Sequence, residues 1–218
     1  MIKAVIFDFD GLILDTETAW YHAYKEVLQE QFQFELPLDE FARCVGSNIA
    51  VLFTYLENEL GDQFDAEAIH GDAGRIHHEL MKEAKACEGV PECLAGAREA
   101  GLTIALATSS NREWAIRHLM NLQLFTYFDH LITKDDVEYV KPAPDLFLKA
   151  IEVLGIEPHE AFVFEDSLNG LRAAQLAKLP TVIIPNPVTE FSPFEGYHLK
   201  LTSMAEMRLQ DIIASLNN

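Results

Sequence analysis

The sequence predicts an α/β fold: a doubly wound parallel sheet carrying one helical insertion. Three observations carry that expectation. Short β-branched and aromatic runs recur along the chain. From the second run onward, helical periods separate them, and residues 16–86 hold helical periods with no strand-like run. Strands alternating with helices of this length form βαβ units and a parallel sheet.

The first run, IKAVIFDF at 2–9, is too short for a helix and reads as a buried strand. Similar runs follow at 103–108, 131–133, 161–165 and 181–184, with helical patterns at 92–100, 112–122, 144–154 and 168–177. Gly101 and Gly155 stand where helix C-caps fall. A last helix over 203–216 is expected to open on Ser203 as N-cap, with Glu206 at capping-box spacing. Between the first strand and the rest, helical periods cover 18–32, 37–45, 48–60 and 65–86, broken at Pro37, Gly46 and Gly61. The simplest division is a core of residues 1–15 and 87–218 with a helical insertion at 16–86, jointed near 14–17 and 86–91.

Composition narrows the function. The chain has 218 residues, 49% apolar and 23% charged, enough for a sizeable core without disulfides. Acidic residues number 35 against 16 basic, a net charge of −19. Nucleic acid and anionic membrane surfaces are therefore poor partners, since both need clustered Lys and Arg. A small phosphate ester stays possible, because one local cation and a metal can reverse the field inside a pocket. Cys44, Cys87 and Cys93 form no CxxC and leave an odd count, which favours a reducing cytoplasm. The apolar run after Lys3 ends at Asp8, too short for a signal segment, and no later run approaches a membrane span.

In open α/β sheets ligands bind beyond the carboxyl ends of the strands, where strand order reverses. Asp8 and Asp10 follow the first strand, and alternation in an extended chain would point both carboxylates one way. Glu165 and Asp166 follow the fourth. Four acids at one pocket call for a cation, and oxygen ligands favour a hard one, Mg²⁺ first. Read locally, Asp10-Gly11 is also a turn and Glu165-Asp166 a helix N-cap. Thr108 and Ser109, at the end of the second strand, suit an anion site at a helix N-terminus, or simple capping. Lys141 precedes Pro142-Ala143-Pro144, which starts a helix; alone, it would be a solvated charge.

Together these residues resemble the haloacid dehalogenase superfamily, in particular its β-phosphoglucomutase-like phosphatase branch with a small helical cap. The motifs occur in order: Asp8-Phe9-Asp10-Gly11-Leu12 running on to Asp15-Thr16-Glu17, Thr108 in LATSS, Lys141 in KPAPD, and Glu165-Asp166-Ser167-Leu168-Asn169-Gly170. The resemblance spans nearly the whole chain. It implies a Rossmann-like core and a small phosphorylated metabolite as partner; a cytoplasmic, monomeric enzyme is expected. It also implies two-step phosphoryl transfer, with Asp8 as nucleophile and Asp10 as general acid and base. Mg²⁺ would bind Asp8, the Asp10 carbonyl, Asp166 and, directly or indirectly, Glu165. Thr108, Ser109 and Lys141 would hold the phosphoryl oxygens.

Within the superfamily, Asp10 implies phosphoryl transfer rather than dehalogenation. The β-phosphoglucomutase alternative carries a His ten residues after the second acid of its first motif, where this chain has Trp20. His22 lies about 200° round the helix from that position. The mutase also carries a cap-loop Arg, absent from Gly46-Ser47-Asn48-Ile49, and the insertion holds 14 acids against five bases. Hydrolysis is therefore expected. The cap should close over the substrate and exclude water. Trp20, Ser47 and Asn48, with His77 or His78, are the candidates for specificity, and a neutral sugar or polyol leaving group is expected. Phe32, Phe34, Phe53 and Tyr55 read as cap packing. A receiver-like phosphoacceptor or a silent binding module is the remaining alternative; the former lacks the insertion and the Asp-x-Asp pair.

Overall fold

A computed structural model describes residues 1–216. Its centre is a six-stranded, wholly parallel sheet in the order β3-β2-β1-β4-β5-β6. The strands are β1 (Ala4–Phe7), β2 (Thr103–Ala107), β3 (His130–Ile132), β4 (Ala161–Glu165), β5 (Thr181–Ile183) and β6 (Leu199–Lys200). The chain runs outward from β1 to β3, returns to β4 beside β1, and then runs outward the other way. Strand order thus reverses at the β1–β4 pair, where Phe7 lies opposite Phe164.

Burial on both faces explains why these strands read as continuous apolar runs. Val5 and Phe7 of β1 face the larger cluster with Ile104, Leu106, Phe162 and Phe164. Ala4 and Ile6 face the other side, where Ala105, Ala107, Ala161 and Val163 leave room for close-packed helices. Helices α5 (Val90–Glu99), α6 (Arg112–Asn121) and α9 (Leu209–Leu216) cover the first face; α7 (Asp145–Leu154) and α8 (Leu168–Leu176) cover the second.

Between β1 and α5 lie α1 (Thr16–Phe32), α2 (Leu38–Ala42), α3 (Ala50–Leu60) and α4 (Ala66–Leu80), around a third apolar cluster centred on Tyr24, Leu28, Phe41 and Leu56. Phe32, Phe34, Phe53 and Tyr55 pack against that cluster, as expected. Asp15 caps α1 by accepting from the Thr18 N–H at 3.0 Å. The chain rejoins the core through an antiparallel bridge between Leu14 and Ala86.

Several boundaries differ from expectation. The first strand stops at Phe7, so Asp8 and Asp10 sit in the turn beyond it rather than on one strand face. The fourth insertion helix ends at Leu80, not 86, because the chain must turn to reach the Leu14 bridge. The last helix starts at Leu209, not Ser203: the Glu206 carboxylate accepts from the Thr202 N–H (2.6 Å) and hydroxyl (2.7 Å), closing a turn instead of a helix. β6, two residues long, is too short to leave a periodic signal. No helix among the described residues is long and apolar enough to cross a membrane. Burial pushes the thiols of Cys87 and Cys93 up to about 12 and that of Cys44 further, which marks all three as packing groups.

Candidate active site

The strand reversal brings the carboxyl ends of β1 and β4 together, and the acids that follow them meet there. Asp8, Glu165 and Asp166 are buried, each with an oxygen within 4.8 Å of the others'. The capping alternatives fall away, while Asp10-Gly11 does open a turn. The N-cap of α8 is Ser167, whose hydroxyl accepts from the Gly170 N–H at 3.0 Å, not Glu165 or Asp166. Asn111 caps α6, which leaves Thr108 and Ser109 free of that task.

Lys141 is wholly buried. Its ammonium bonds to Asp8 Oδ1 and lies 2.6 Å from Glu165 Oε1, above the Phe147 ring. Burial alone would push its pKa down; the Asp8 and Glu165 carboxylates override that and hold it well above the usual lysine range. The reverse holds for the acids. Burial, with repulsion from Glu165 and Asp10, pushes Asp8 up to about 7 despite Lys141. Burial, with repulsion from Asp8, Glu165 and Glu17, also raises Asp166. One ammonium does not neutralise this cluster.

A metal ion suits that imbalance. Asp166 Oδ1 is buried with no hydrogen-bond partner, while Oδ2 accepts from Asn186 Nδ2 at 2.7 Å. The Asn186 carbonyl in turn accepts from the Val188 and Thr189 N–H groups, which orients the amide. Gly11, at φ +83°, is required beside them, since a Cβ there would lie 2.3 Å from Asp166 Oδ2. An aimed, unpartnered carboxylate oxygen among raised acids is the donor set of a hard cation. Glu165 fits less directly as a ligand: one oxygen meets Lys141 and the other accepts from the Asp166 N–H (3.2 Å) and Ser167 hydroxyl (3.3 Å).

The Asp10 carboxylate stands apart from this triad. Its Oδ1 accepts from the Thr16 hydroxyl (3.0 Å) and the Trp114 indole (2.9 Å), and its Oδ2 from Ser110 (2.6 Å). Thr108, buried at the end of β2, points its hydroxyl at Oδ2 from 3.4 Å. Ser109 donates to the Gly46 carbonyl of the helical insertion at 3.0 Å.

Asp8, Asp10, Thr108 and Ser109 open onto a cavity of about 410 Å³ between the sheet and the insertion, within the range of small-molecule sites. Sequence comparison decides the family. The haloacid dehalogenase-like hydrolase family matches residues 5–184. The chain belongs to that family. YhcW of Bacillus subtilis (strain 168) is 42% identical over 100% of this chain and 99% of its own. The phosphorylated carbohydrates phosphatase of Thermotoga maritima is 32% identical over 83% of this chain and 84% of its own. The crystal structure of CbbY from Rhodobacter sphaeroides in complex with phosphate superposes with a TM-score of 0.78, at 28% identity and full coverage of both chains. A CbbY variant has been solved with xylulose-(1,5)bisphosphate (TM-score 0.75, 27% identity, 94% of this chain and 96% of that one). Within the family this chain is a phosphoric monoester phosphatase.

The hydrolase's insertion-side wall differs in detail from the sequence reading. Trp20 lines the cavity but is stacked between His77 (3.9 Å) and His70 (5.3 Å). Ser47 and Asn48 line it too, yet the Asn48 side-chain oxygen is engaged by the Ala50 N–H at 3.0 Å. His78 is exposed, whereas His77 is buried and separates Trp20 from Trp114. Sequence reasoning missed Tyr24 and His70, hydrogen-bonded to each other on the wall, as well as Ser110, Trp114 and Asn186. Ser110 carried a usable signal, a hydroxyl two residues beyond Thr108; Trp114 and Asn186 carried none. Glu17 lines the cavity, its carboxyl raised by burial and by repulsion from Asp10, Asp8 and Asp15.

His77 gives a stability prediction. Burial, the neighbouring His118 of α6, and His78 and His70 of its own helix push it down to about 4, against a ring N–H bond to the Thr16 carbonyl. Its pKa is depressed on folding, so stability is intact above about 6.5 and is lost as pH falls toward about 4. The expected loss is about 3 kcal/mol. Thermal melts of His77→Gln should show a shallower acid limb than wild type between those limits. Equal slopes would exclude His77 as the source.

Proposed function

We propose that the enzyme is a Mg²⁺-dependent phosphatase of small phosphorylated carbohydrates acting through an aspartyl phosphate on Asp8. The observation that carries this reading is the buried Lys141–Asp8 pair beside the unpartnered Asp166 oxygen, with Asp10 held apart at the cavity by four donors. The Thermotoga phosphatase and the phosphate-bound CbbY support it.

Residues 16–86 act as a cap over a core of 1–15 and 87–218. In the first step an Asp8 carboxylate oxygen attacks phosphorus, the bond to the leaving oxygen breaks, and Asp10 gives that oxygen a proton. In the second, Asp10 takes a proton from the water that attacks the aspartyl phosphate, which frees Asp8 and inorganic phosphate. Thr108, the Ser109 N–H and Lys141 hold the phosphoryl oxygens, and Glu165 keeps Lys141 in place. The Asp8 and Asp166 carboxylates and the Asp10 main-chain carbonyl would hold Mg²⁺, which supplies positive charge to a phosphoryl oxygen. Such transfer is mostly positioning and charge neutralisation, which this set provides.

A neutral sugar or polyol leaving group fits a wall of Trp20, Tyr24, His70 and Trp114 with an acidic Glu17. Trp20 in the place of the mutase His supports hydrolysis over isomerisation. A reducing cytoplasm suits the three buried or half-buried thiols, and the proposed enzyme is a monomer. The test is hydrolysis of p-nitrophenyl phosphate with and without Mg²⁺, then a panel of sugar monophosphates. Expected are Mg²⁺-dependent release of inorganic phosphate and, from β-glucose 1-phosphate, no glucose 6-phosphate. Metal-independent release, or formation of the isomer, would overturn the assignment.

A further inference from the structure

Asp10 is gripped differently at its two oxygens. Oδ1 is held by Thr16 at the start of α1, from the cap, and by the indole of Trp114 on α6, from the core. Oδ2 is held by hydroxyls of the loop after β2, Ser110 and, more weakly, Thr108. Hydroxyls donate or accept by rotating, whereas an indole N–H only donates. Of the two groups on Oδ1, the Thr16 hydroxyl can also accept but the indole can never receive a hydrogen bond from a carboxylic acid, whereas both groups on Oδ2 can.

The indole is itself fixed. The Trp114 backbone N–H donates to Oδ1 of the α6 cap Asn111 at 2.7 Å, which holds the first turn of that helix. The Trp114 ring lies 4.1 Å from His118, beneath the Arg117 guanidinium at 5.2 Å, and faces His77 of the cap at 5.9 Å. Trp20, His77, Trp114 and His118 thus form one column of rings, two from the cap and two from the core.

We propose that Trp114 is a positioning residue of the reaction: its indole N–H anchors Asp10 Oδ1 and so presents Oδ2 as the oxygen that passes the proton. The proposal rests on the role given to Asp10 above. In the first step the Oδ2–H bond breaks as the proton passes to the leaving oxygen. In the second, water gives its proton to Oδ2 as its oxygen bonds to phosphorus.

The test compares Trp114→Phe, which keeps a ring and loses the N–H, on two substrates. An alkyl or sugar phosphate needs its leaving oxygen protonated; p-nitrophenyl phosphate does not. The expected result is a fall in kcat/KM about tenfold larger for the sugar phosphate than for the aryl ester, with inhibition by inorganic phosphate unchanged. Equal falls on both substrates would overturn the proposal, since a merely structural role would not distinguish leaving groups. A second measurement does not depend on that variant folding. In ¹⁵N-indole spectra, assigned with Trp20→Phe, the Trp114 N–H signal should move upfield in Asp10→Ala; an unmoved signal would also overturn it. If Asp10→Asn keeps full turnover, the functional reading itself fails. If Asp10→Asn is inactive and the substrate ratio in Trp114→Phe stays at wild-type value, only the positioning role fails.

Discussion

Asp8→Asn is expected to lower kcat by about 10⁴-fold or more, because in the proposed mechanism no other group is placed to attack phosphorus. The variant should fold. Asp8 is raised to about 7 by burial and by its acidic neighbours, so at neutral pH the uncharged amide relieves repulsion that the native carboxylate endures. The sign follows from linkage: a carboxylate whose pKa rises on folding weakens the fold above its unfolded pKa of about 4. The metal-free variant should therefore melt no lower than metal-free wild type at pH 7, and Mg²⁺ should raise the melting point of wild type but not of the variant. Phosphate release under single-turnover conditions and paired thermal melts with and without Mg²⁺ check both halves. Residual Mg²⁺-dependent turnover near wild-type level would remove Asp8 from the chemistry.

Lys141→Met should damage activity and fold together. The ammonium is wholly buried between Asp8 and Glu165, and its loss leaves two buried carboxylates facing each other. Breaking a buried pair by removing one partner costs about 3–5 kcal/mol. For a chain of this length that corresponds to a fall in Tm of about 10 °C. Methionine fills much of the same volume above Phe147, so a cavity is not the main term. Activity should fall by about 10²-fold or more, the usual effect of deleting one preorganised charge at a developing anion. Calorimetry at pH 7 and at pH 5 separates the causes: protonating the stranded acids at pH 5 should recover part of the lost stability. A Tm equal to wild type at both pH values would show that Lys141 does not hold this cluster together.

These two residues also mark how far the sequence was legible. Asp8 and Lys141 were found because the one ends an apolar strand and the other stands just before a helix-starting Pro motif, and the family resemblance joined them. Their bond spans 133 positions and depends on β1 lying beside both β2 and β4. Asp10 shows the limit more clearly. Alternation along an extended chain placed it with Asp8, Glu165 and Asp166; ending the strand at Phe7 instead turns its carboxylate toward Thr16, Ser110 and Trp114. The last helix failed for a local reason, since Glu206 at capping-box spacing closes a turn on Thr202. The histidines divided by burial: His78 is exposed as a solvated helix face should be, and its neighbour His77 packs between two tryptophans.

The sequence by itself determined the doubly wound α/β class, the helical segment after the first strand and the acids, hydroxyls and lysine of the motifs. Buried parallel strands require continuous apolar runs, and the polar residues that end such runs stand out against them. The tertiary structure alone decided the pairings: Lys141 with Asp8 and Glu165, Asn186 with Asp166, and Trp114 with Asp10 across 104 positions. Hydrophobic periodicity is a property of a few neighbouring residues. The direction of a buried carboxylate is set by donors that only the strand order and the packing of α6 against the site bring within reach.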